Sequence, residues 1–265
     1  MPRVSANGVD LYYEEHGEGV PILCIHGTSS SALVWGDAAQ ELGRRGRSIV
    51  YDRRGCYRSQ RPQPYETTDV ADHTEDAAEL LEVLGATPAV VIGRSYGGEI
   101  ALDLARRFPD AVKALALLEP AMLTLDPEGK DWLDSLRRRA LQAGAIDVSS
   151  VAKVFLQDVV GDEVWESFSK ELKDMFAGNG PAILAELRGR SLELSGHELA
   201  EIDQPTLMVS AKDSPETFRR VDDIVAEALP NCAKVMVDGG HLINPTHPAI
   251  LDFVDHQVAL HTPAP

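Results

Sequence analysis

Residues 89–98 read Ala-Val-Val-Ile-Gly-Arg-Ser-Tyr-Gly-Gly, and this stretch decides the fold. Its apolar start, 89–92, predicts a buried strand, and the following residues 98–108 carry apolar side chains at helical spacing. Between them lies the pattern Gly-x-Ser-x-Gly with Ser95 at its centre. A serine in a sharp strand-to-helix turn has a strained backbone and exposes its hydroxyl beside a helix N-terminus. Ser95 is therefore the candidate nucleophile.

Short apolar runs alternate with amphipathic helical patterns along most of the chain. We predict strands at Pro21–Ile25, Ser48–Tyr51, Ala89–Ile92, Val112–Leu118, Thr206–Val209 and Ala233–Val237. We predict helices at Thr74–Leu84, Gly98–Phe108, Phe218–Ala228 and Pro248–Val258. The dipeptide Asn7-Gly8 predicts a tight hairpin near the start. This alternation predicts an α/β fold with a doubly wound, mainly parallel sheet.

One segment, residues 121–203, interrupts the alternation. It holds several amphipathic helical patterns and no convincing strand, together with five of the nine Phe and Trp residues of the chain. We expect a helical cap at 121–203, inserted between two strands of a core domain made of 1–120 and 204–265. Trp132 and Phe155 in this segment are candidate substrate-binding residues.

Composition excludes several classes of protein. The formal net charge of −17 argues against binding to nucleic acid or to anionic lipid, since both need a basic face. Cys24, Cys56 and Cys232 are too widely spaced for a disulfide framework or a metal site. We find no secretory signal and no apolar run long enough to span a membrane. A cytoplasmic location is expected, with no metal and no cofactor, and the oligomeric state stays open.

A serine nucleophile needs a general base, and His241 is the best candidate. It lies in the segment Asp-Gly-Gly-His-Leu at 238–242, directly after the last predicted strand and before the closing helix. Its role would be to take the Ser95 proton and return it to the leaving group. The remaining histidines lack such a setting, and we expect them to be solvated: His16, His73, His197, His247, His256 and His261.

The order of these motifs resembles the α/β-hydrolase fold superfamily over essentially the whole chain. The motifs are His26-Gly27, then Asp-Arg-Arg-Gly at 52–55, the Ser95 turn, the helical segment, a late acid and His241. The resemblance implies a catalytic triad in the chain order Ser, acid, His. It implies the serine branch of the superfamily, because epoxide hydrolases and haloalkane dehalogenases use a carboxylate nucleophile.

Two residues fit the triad acid. Asp213 follows the strand 206–209, which resembles the commonest placement in the superfamily. Glu119 follows the strand 112–118, which resembles the placement in lactone hydrolases of the zearalenone-lactonase kind. The segments Glu119-Pro120 and 214–219 (Ser-Pro-Glu-Thr-Phe-Arg) add to that second resemblance. Both alternatives stay open, with Asp213 slightly favoured.

The resemblance also implies an oxyanion hole, formed by the backbone N–H groups of Tyr96 and Thr28. Arg94 stands next to the nucleophile. Because arginine is rarely buried unpaired, we expect it to pair with an acid such as Glu119 or Asp52. The alternative is that Arg94 contacts an anionic or carbonyl-rich substrate.

These observations predict a metal-free serine hydrolase. Its partner would be a small-molecule ester or lactone with a hydrophobic body, cleaved through an acyl-enzyme on Ser95. Three alternatives could use the same triad: a cofactor-free lyase, a perhydrolase or an acyltransferase. A ligand-binding receptor on the same fold is the remaining alternative.

Overall fold

The computed structural model describes residues 2–260 and contains one eight-stranded sheet. The strands are β1 (Arg3–Ala6), β2 (Val9–His16), β3 (Pro21–Ile25), β4 (Arg47–Tyr51), β5 (Ala89–Arg94), β6 (Val112–Leu118), β7 (Thr206–Ala211) and β8 (Cys232–Val237). Their order is β1-β2-β4-β3-β5-β6-β7-β8, and only the two pairings of β2 are antiparallel. The predicted α/β fold with a mainly parallel sheet is confirmed.

Eleven α-helices accompany the sheet in the described residues. They are α1 (Gly36–Gly43), α2 (Val70–Val83), α3 (Tyr96–Arg107), α4 (Pro127–Ile146), α5 (Val151–Val160), α6 (Asp162–Ser167), α7 (Lys170–Gly178), α8 (Gly180–Arg188), α9 (Gly196–Leu199), α10 (Glu216–Ala228) and α11 (Pro248–Ala259). The four helices predicted outside the interrupting segment are present, whereas α1 was not predicted. None of the described helices has both the length and the apolar character needed to cross a membrane.

Both faces of the sheet are covered, which explains why its strands read as continuous apolar runs. Val91 of β5 packs in a cluster with α2, α3 and α10. Its neighbour Ile92 points to the other face, into a cluster with α1 and α11. Successive strand residues alternate between faces, so a doubly covered strand needs apolar side chains at every position. The sheet is therefore doubly wound.

The fully described segment 121–203 contains helices α4 to α9 and no strand. Its helices share an apolar cluster of their own, which includes Trp165, Phe176 and Ile183. Near the end of the segment, Leu194 and Leu199 instead join the cluster on one face of the sheet. The segment thus packs partly on itself and partly on the sheet.

The turn between β5 and α3 packs closely against the end of β3. A Cβ atom added to Gly97 would lie 2.2 Å from the carbonyl oxygen of Ile25. Because that oxygen belongs to the backbone of a buried strand, it has little freedom to move away. Only glycine allows the two chain segments to approach this closely.

We expect Gly97→Ala to lower the free energy of unfolding by at least about 1–3 kcal/mol, the usual cost of forcing extra volume into a packed interior. Gly196→Ala is the matched control, because a Cβ there meets no atom within 4 Å and the backbone is not left-handed. Urea denaturation of both variants checks this expectation. Equal effects at the two glycines would contradict it.

Candidate active site

Ser95 occupies the sharp turn between β5 and α3. Its φ of 52° and ψ of −121° lie outside the ordinary regions for a residue with a side chain, which costs about 1–3 kcal/mol. Neighbouring backbone holds the turn: Ser95 N donates to Leu118 O at 3.0 Å, and Ala121 N donates to Ser95 O at 3.1 Å. The strained turn is therefore fixed to the end of β6.

His241 is hydrogen-bonded to Glu119. Its Nδ1 lies 2.7 Å from Glu119 Oε2. Glu119 is fully buried, and its carboxylate also accepts hydrogen bonds from Ala211 N at 2.8 Å and from Ser214 Oγ at 2.7 Å. A buried carboxylate is stable only when such donors replace water. The three bonds fix the carboxylate at the position that orients the imidazole.

The structure contradicts the slight preference for Asp213 as the partner of His241. Asp213 is exposed, and its backbone N donates to Gly239 O at 2.9 Å. Glu119 instead is buried, and its carboxylate is bonded to His241. Its backbone is left-handed, with a φ of 46°, a feature that sequence patterns do not reveal.

The second ring nitrogen of His241, Nε2, is available as a proton acceptor. His241 is buried, and its Nε2 has no hydrogen-bond partner among residues 2–260. The ring of Phe218 packs beside the imidazole, with 4.3 Å between centroids. An imidazole whose Nδ1–H is held by a carboxylate presents Nε2 as a proton acceptor. Ser95 and His241 line the same cavity.

Both predicted oxyanion donors lie beside Ser95. Tyr96 is the first residue of α3, and the N–H groups of a first helical turn have no partner within the helix. Thr28 follows the end of β3, and Thr28, Tyr96 and Ser95 line a common cavity. All three residues therefore border one space beside the candidate nucleophile.

A buried ion pair holds the turn that carries Thr28. Nη1 of Arg53 lies 2.8 Å from Oε1 of Glu186, which belongs to α8. The same guanidinium donates to His26 O and Gly27 O, each at 3.0 Å. Thr28 Oγ1 donates to the second oxygen of Glu186 at 2.7 Å. Residues 26–28 are thus bound on one side by Arg53 and on the other by α8.

Two further histidines lie near this turn. His26 donates from Nδ1 to Gly27 O at 2.8 Å and accepts at Nε2 from Arg53 N at 3.0 Å, so its ring supports the loop. His73 was predicted to be solvated, and this is wrong. It is fully buried, edge-on to Tyr96 at 5.6 Å between centroids. Burial, reinforced by Arg53, holds its pKa well below the usual value.

The position of His73 on the buried face of helix α2 could have been read from the sequence. It lies four and seven residues before the buried Ala77 and Leu80, and so shares their helix face. His16 and His247 are half-buried, and His197 and His256 are exposed. His261 lies outside the described residues.

Two cavities meet at Ser95. The larger has a volume of about 390 Å³ and an apolar wall that includes Leu156, Phe168 and Phe176. The smaller has a volume of about 50 Å³. Phe155 lines both cavities, and Trp132 lines the smaller one. Both predicted substrate-binding aromatics therefore lie at the candidate site.

The expected ion pair of Arg94 is absent within residues 2–260, so that prediction is wrong. Nη2 of Arg94 donates to the backbone O of Ile243 at 2.5 Å, and the guanidinium lies over the ring of Trp35, 5.2 Å from its centroid. Asp52 is engaged elsewhere, with its Oδ2 2.8 Å from Nε of Arg58. Burial lowers the pKa of Arg94 to about 10, so it is still charged at neutral pH.

The described chain gathers no three His, Cys, Asp or Glu side chains in an arrangement that holds a metal ion. The thiols of Cys24 and Cys56 are buried, and burial raises the pKa of each to about 12. Such thiols are protonated at neutral pH and act as small apolar side chains.

The sequence was compared with protein families and with named proteins. Residues 20–248 match the family described as the alpha/beta hydrolase fold. The chain is 28% identical over 257 residues to a protein named for carbamate hydrolysis, RutD of Azorhizobium caulinodans, covering 95% of this chain and 96% of that protein. It is 27% identical over 244 residues to the pimeloyl–acyl-carrier-protein methyl ester esterase of Nitrosospira multiformis, covering 86% and 92%.

Among solved structures, the chain is similar to an N-acyl homoserine lactone degrading enzyme. The TM-score is 0.74 at 23% identity, and the match covers 98% of this chain and 100% of the other. At that level of identity the likeness concerns the fold.

Asp222 of α10 is buried, and its carboxyl is hydrogen-bonded to the hydroxyl of the buried Ser210. Burial raises the pKa of Asp222 to about 8. The folded state therefore keeps this carboxyl protonated between about pH 4 and 8, whereas the unfolded chain releases the proton near pH 4. Stability should fall as pH rises through this window.

In the original chain, ionisation of Asp222 should lower the free energy of unfolding by up to about 1.4 kcal/mol for each pH unit in this window. We expect Asp222→Asn to lack this slope, because an amide does not ionise. Free energies of unfolding measured from pH 5 to 7.5 check this slope. Asp223→Asn, at the exposed neighbouring position, is the control and should keep the slope of the original chain. An unchanged slope in Asp222→Asn would contradict the assignment.

Proposed function

The chain belongs to the α/β-hydrolase fold family, and from this premise we propose that it is a serine hydrolase of carboxylic esters or lactones. The observation that carries the proposal is the hydrogen bond between His241 Nδ1 and Glu119 Oε2, beside a strained Ser95 in the same cavity. Ser95, His241 and Glu119 form the triad, and Asp213 has no part in it.

The reaction has two steps. Ser95 Oγ attacks the carbonyl carbon while His241 Nε2 takes the hydroxyl proton, and the carbon–oxygen bond to the alcohol breaks as the imidazolium gives that proton to the leaving oxygen. Water then attacks the acyl carbon while the same imidazole takes a proton from it. The bond between the acyl carbon and Ser95 Oγ breaks as that proton passes to Oγ, and the carboxylic acid is released. Glu119 accepts the hydrogen bond from His241 Nδ1–H throughout without taking the proton, so its carboxylate orients the ring and stabilises the imidazolium.

The negative oxygen that develops in each step is stabilised by the backbone N–H groups of Thr28 and Tyr96. One such donor is worth roughly 3–4 kcal/mol of transition-state stabilisation. Donors are effective only when they are held in place before the reaction. Arg53 and Glu186 supply that rigidity, because they bind the carbonyl groups and the hydroxyl of the turn 26–28.

The substrate has a hydrophobic body. The wall of the larger cavity is mostly aliphatic and aromatic, and Phe155, Val159 and Trp132 from the segment 121–203 contribute to the two cavities. This segment acts as a cap over the site. The names of similar proteins, a methyl ester esterase and a lactone degrading enzyme, support esters and lactones as the first classes to test.

Carbamates are the second candidate class. The 28% identical relative, aligned along nearly the whole chain, is named for carbamate hydrolysis. Attack on a carbamate carbonyl uses the same nucleophile, base and oxyanion donors. A matched panel of aryl esters, lactones and aryl carbamates, assayed with product analysis, ranks these classes and detects acyl transfer to acceptors other than water.

We expect Ser95→Ala to abolish turnover and Glu119→Gln to lower kcat on the order of 10⁴-fold, the loss seen when a triad carboxylate becomes an amide. Asp213→Asn is the matched control, and it should stay within about threefold of the original kcat. Steady-state kinetics on the best ester of the panel check all three variants.

Two results would contradict the proposal. Full activity in Ser95→Ala would show that Ser95 is not the nucleophile. A larger loss of kcat in Asp213→Asn than in Glu119→Gln would show that Asp213, and not Glu119, is the triad acid. Unfolding curves for each variant ensure that loss of activity is compared between folded proteins.

A further inference from the structure

Arg94 is the feature of the site that the proposed reaction leaves unused. It lines the larger cavity together with Ser95 and His241. Among the described residues that line this cavity there is no Asp, Glu or Lys, so Arg94 is its permanent charge. A single cation in an otherwise apolar cavity is the kind of polar group that fixes the orientation of a ligand.

The guanidinium is under-satisfied by the protein itself. Arg94 is only 9% exposed, and Nη2 makes one hydrogen bond, to the backbone O of Ile243. Nε is buried and has no partner among residues 2–260. A guanidinium has five N–H donors in a planar fork, which suits a carboxylate.

A buried cation without a counterion is unfavourable, and burial accordingly lowers the pKa of Arg94. The group is nevertheless charged at neutral pH. A carboxylate that enters the cavity would supply both the missing charge and two acceptor oxygens. Pairing of this kind is the usual way in which proteins tolerate buried arginine.

We propose that Arg94 binds a carboxylate of the substrate, so that the preferred ester or lactone carries an anionic group on one side of the scissile bond. This inference rests on the proposed hydrolase function. Arg94 and Ser95 line the same cavity of about 390 Å³. The carboxylate and the reacting carbonyl therefore belong to one small molecule in that cavity, whose hydrocarbon part contacts the apolar wall.

The experiment compares anionic and neutral members of matched ester pairs. For a carboxylate on the acyl side, the pair is the mono-4-nitrophenyl ester of adipic acid and the same ester with its free carboxyl methylated. For a carboxylate on the alcohol side, the pair is 4-acetoxybenzoate and its methyl ester. Rates with Ser95→Ala are subtracted as the background of non-enzymatic hydrolysis.

The readout is the ratio of kcat/KM for the anionic ester over its neutral partner. We expect the ratio to fall roughly 10- to 100-fold in Arg94→Gln for one of the two pairs, the size of effect of a charge-assisted hydrogen bond. Arg94→Lys keeps the charge but loses the fork, and should restore part of the ratio. Arg138→Gln, which removes an exposed arginine and hence the same net charge, is the control.

A structural role of Arg94, through its bond to Ile243 O beside His241, would lower both members of a pair equally. An unchanged ratio in Arg94→Gln for both pairs overturns the proposal. So does a ratio that falls equally in Arg138→Gln, because long-range charge would then explain it.

Calorimetric titration separates this inference from the proposed function. Adipate and its neutral diamide are titrated into the full chain and into Arg94→Gln, and we expect adipate to bind more tightly only where Arg94 is present. If the chain hydrolyses no ester in a Ser95-dependent manner, the proposed function fails and the titration alone decides the anion site. Equal binding of adipate and diamide to the full chain overturns the site.

Discussion

The ion pair between Arg53 and Glu186 is the interaction on which the arrangement of the site depends. A buried pair of charges loses its hydration, and only close contact and full hydrogen bonding offset that loss. Here the guanidinium bonds to two carbonyl groups of the turn after β3, while the carboxylate binds the hydroxyl of Thr28. The turn 26–28 also lies against Ser95, because a Cβ added to Gly27 would be 3.1 Å from the Ser95 Cβ. One ion pair therefore joins α8, the turn and the strained serine.

Most of the sheet was predictable because parallel strands covered on both faces need apolar residues throughout. The predicted strands agree with β3 to β8 to within two residues at their ends, and Asn7 and Gly8 form the hairpin turn with φ values of 47° and 74°. Helix α1 was missed for a physical reason. It has eight residues and buries mainly Ala38, Ala39 and Leu42, a stripe too short and too weakly apolar to stand out in the sequence.

Sequence analysis could place the site residues that directly follow a strand. It could not say which of several possible partners a side chain would bind. Ser95 and His241 both follow strands at one edge of the sheet, so a sequence pattern brings them together. Glu119 and Asp213 follow adjacent strands at that same edge, but the Glu119 carboxylate is buried and bonded to His241 whereas Asp213 is exposed. Arg94 was expected to pair with Glu119 or Asp52, but the structure engages those two carboxylates with His241 and with Arg58.

The two unequal cavities that Ser95 lines carry a consequence for chirality. The smaller, at about 50 Å³, has room for only a few water-sized groups, whereas the larger, at about 390 Å³, admits a long or branched chain. A stereocentre next to the reacting carbonyl places substituents of different size on fixed sides of the attacking oxygen. Under the proposed hydrolysis, the two spaces would accept the two enantiomers of such a substrate unequally, and their rates of cleavage would differ.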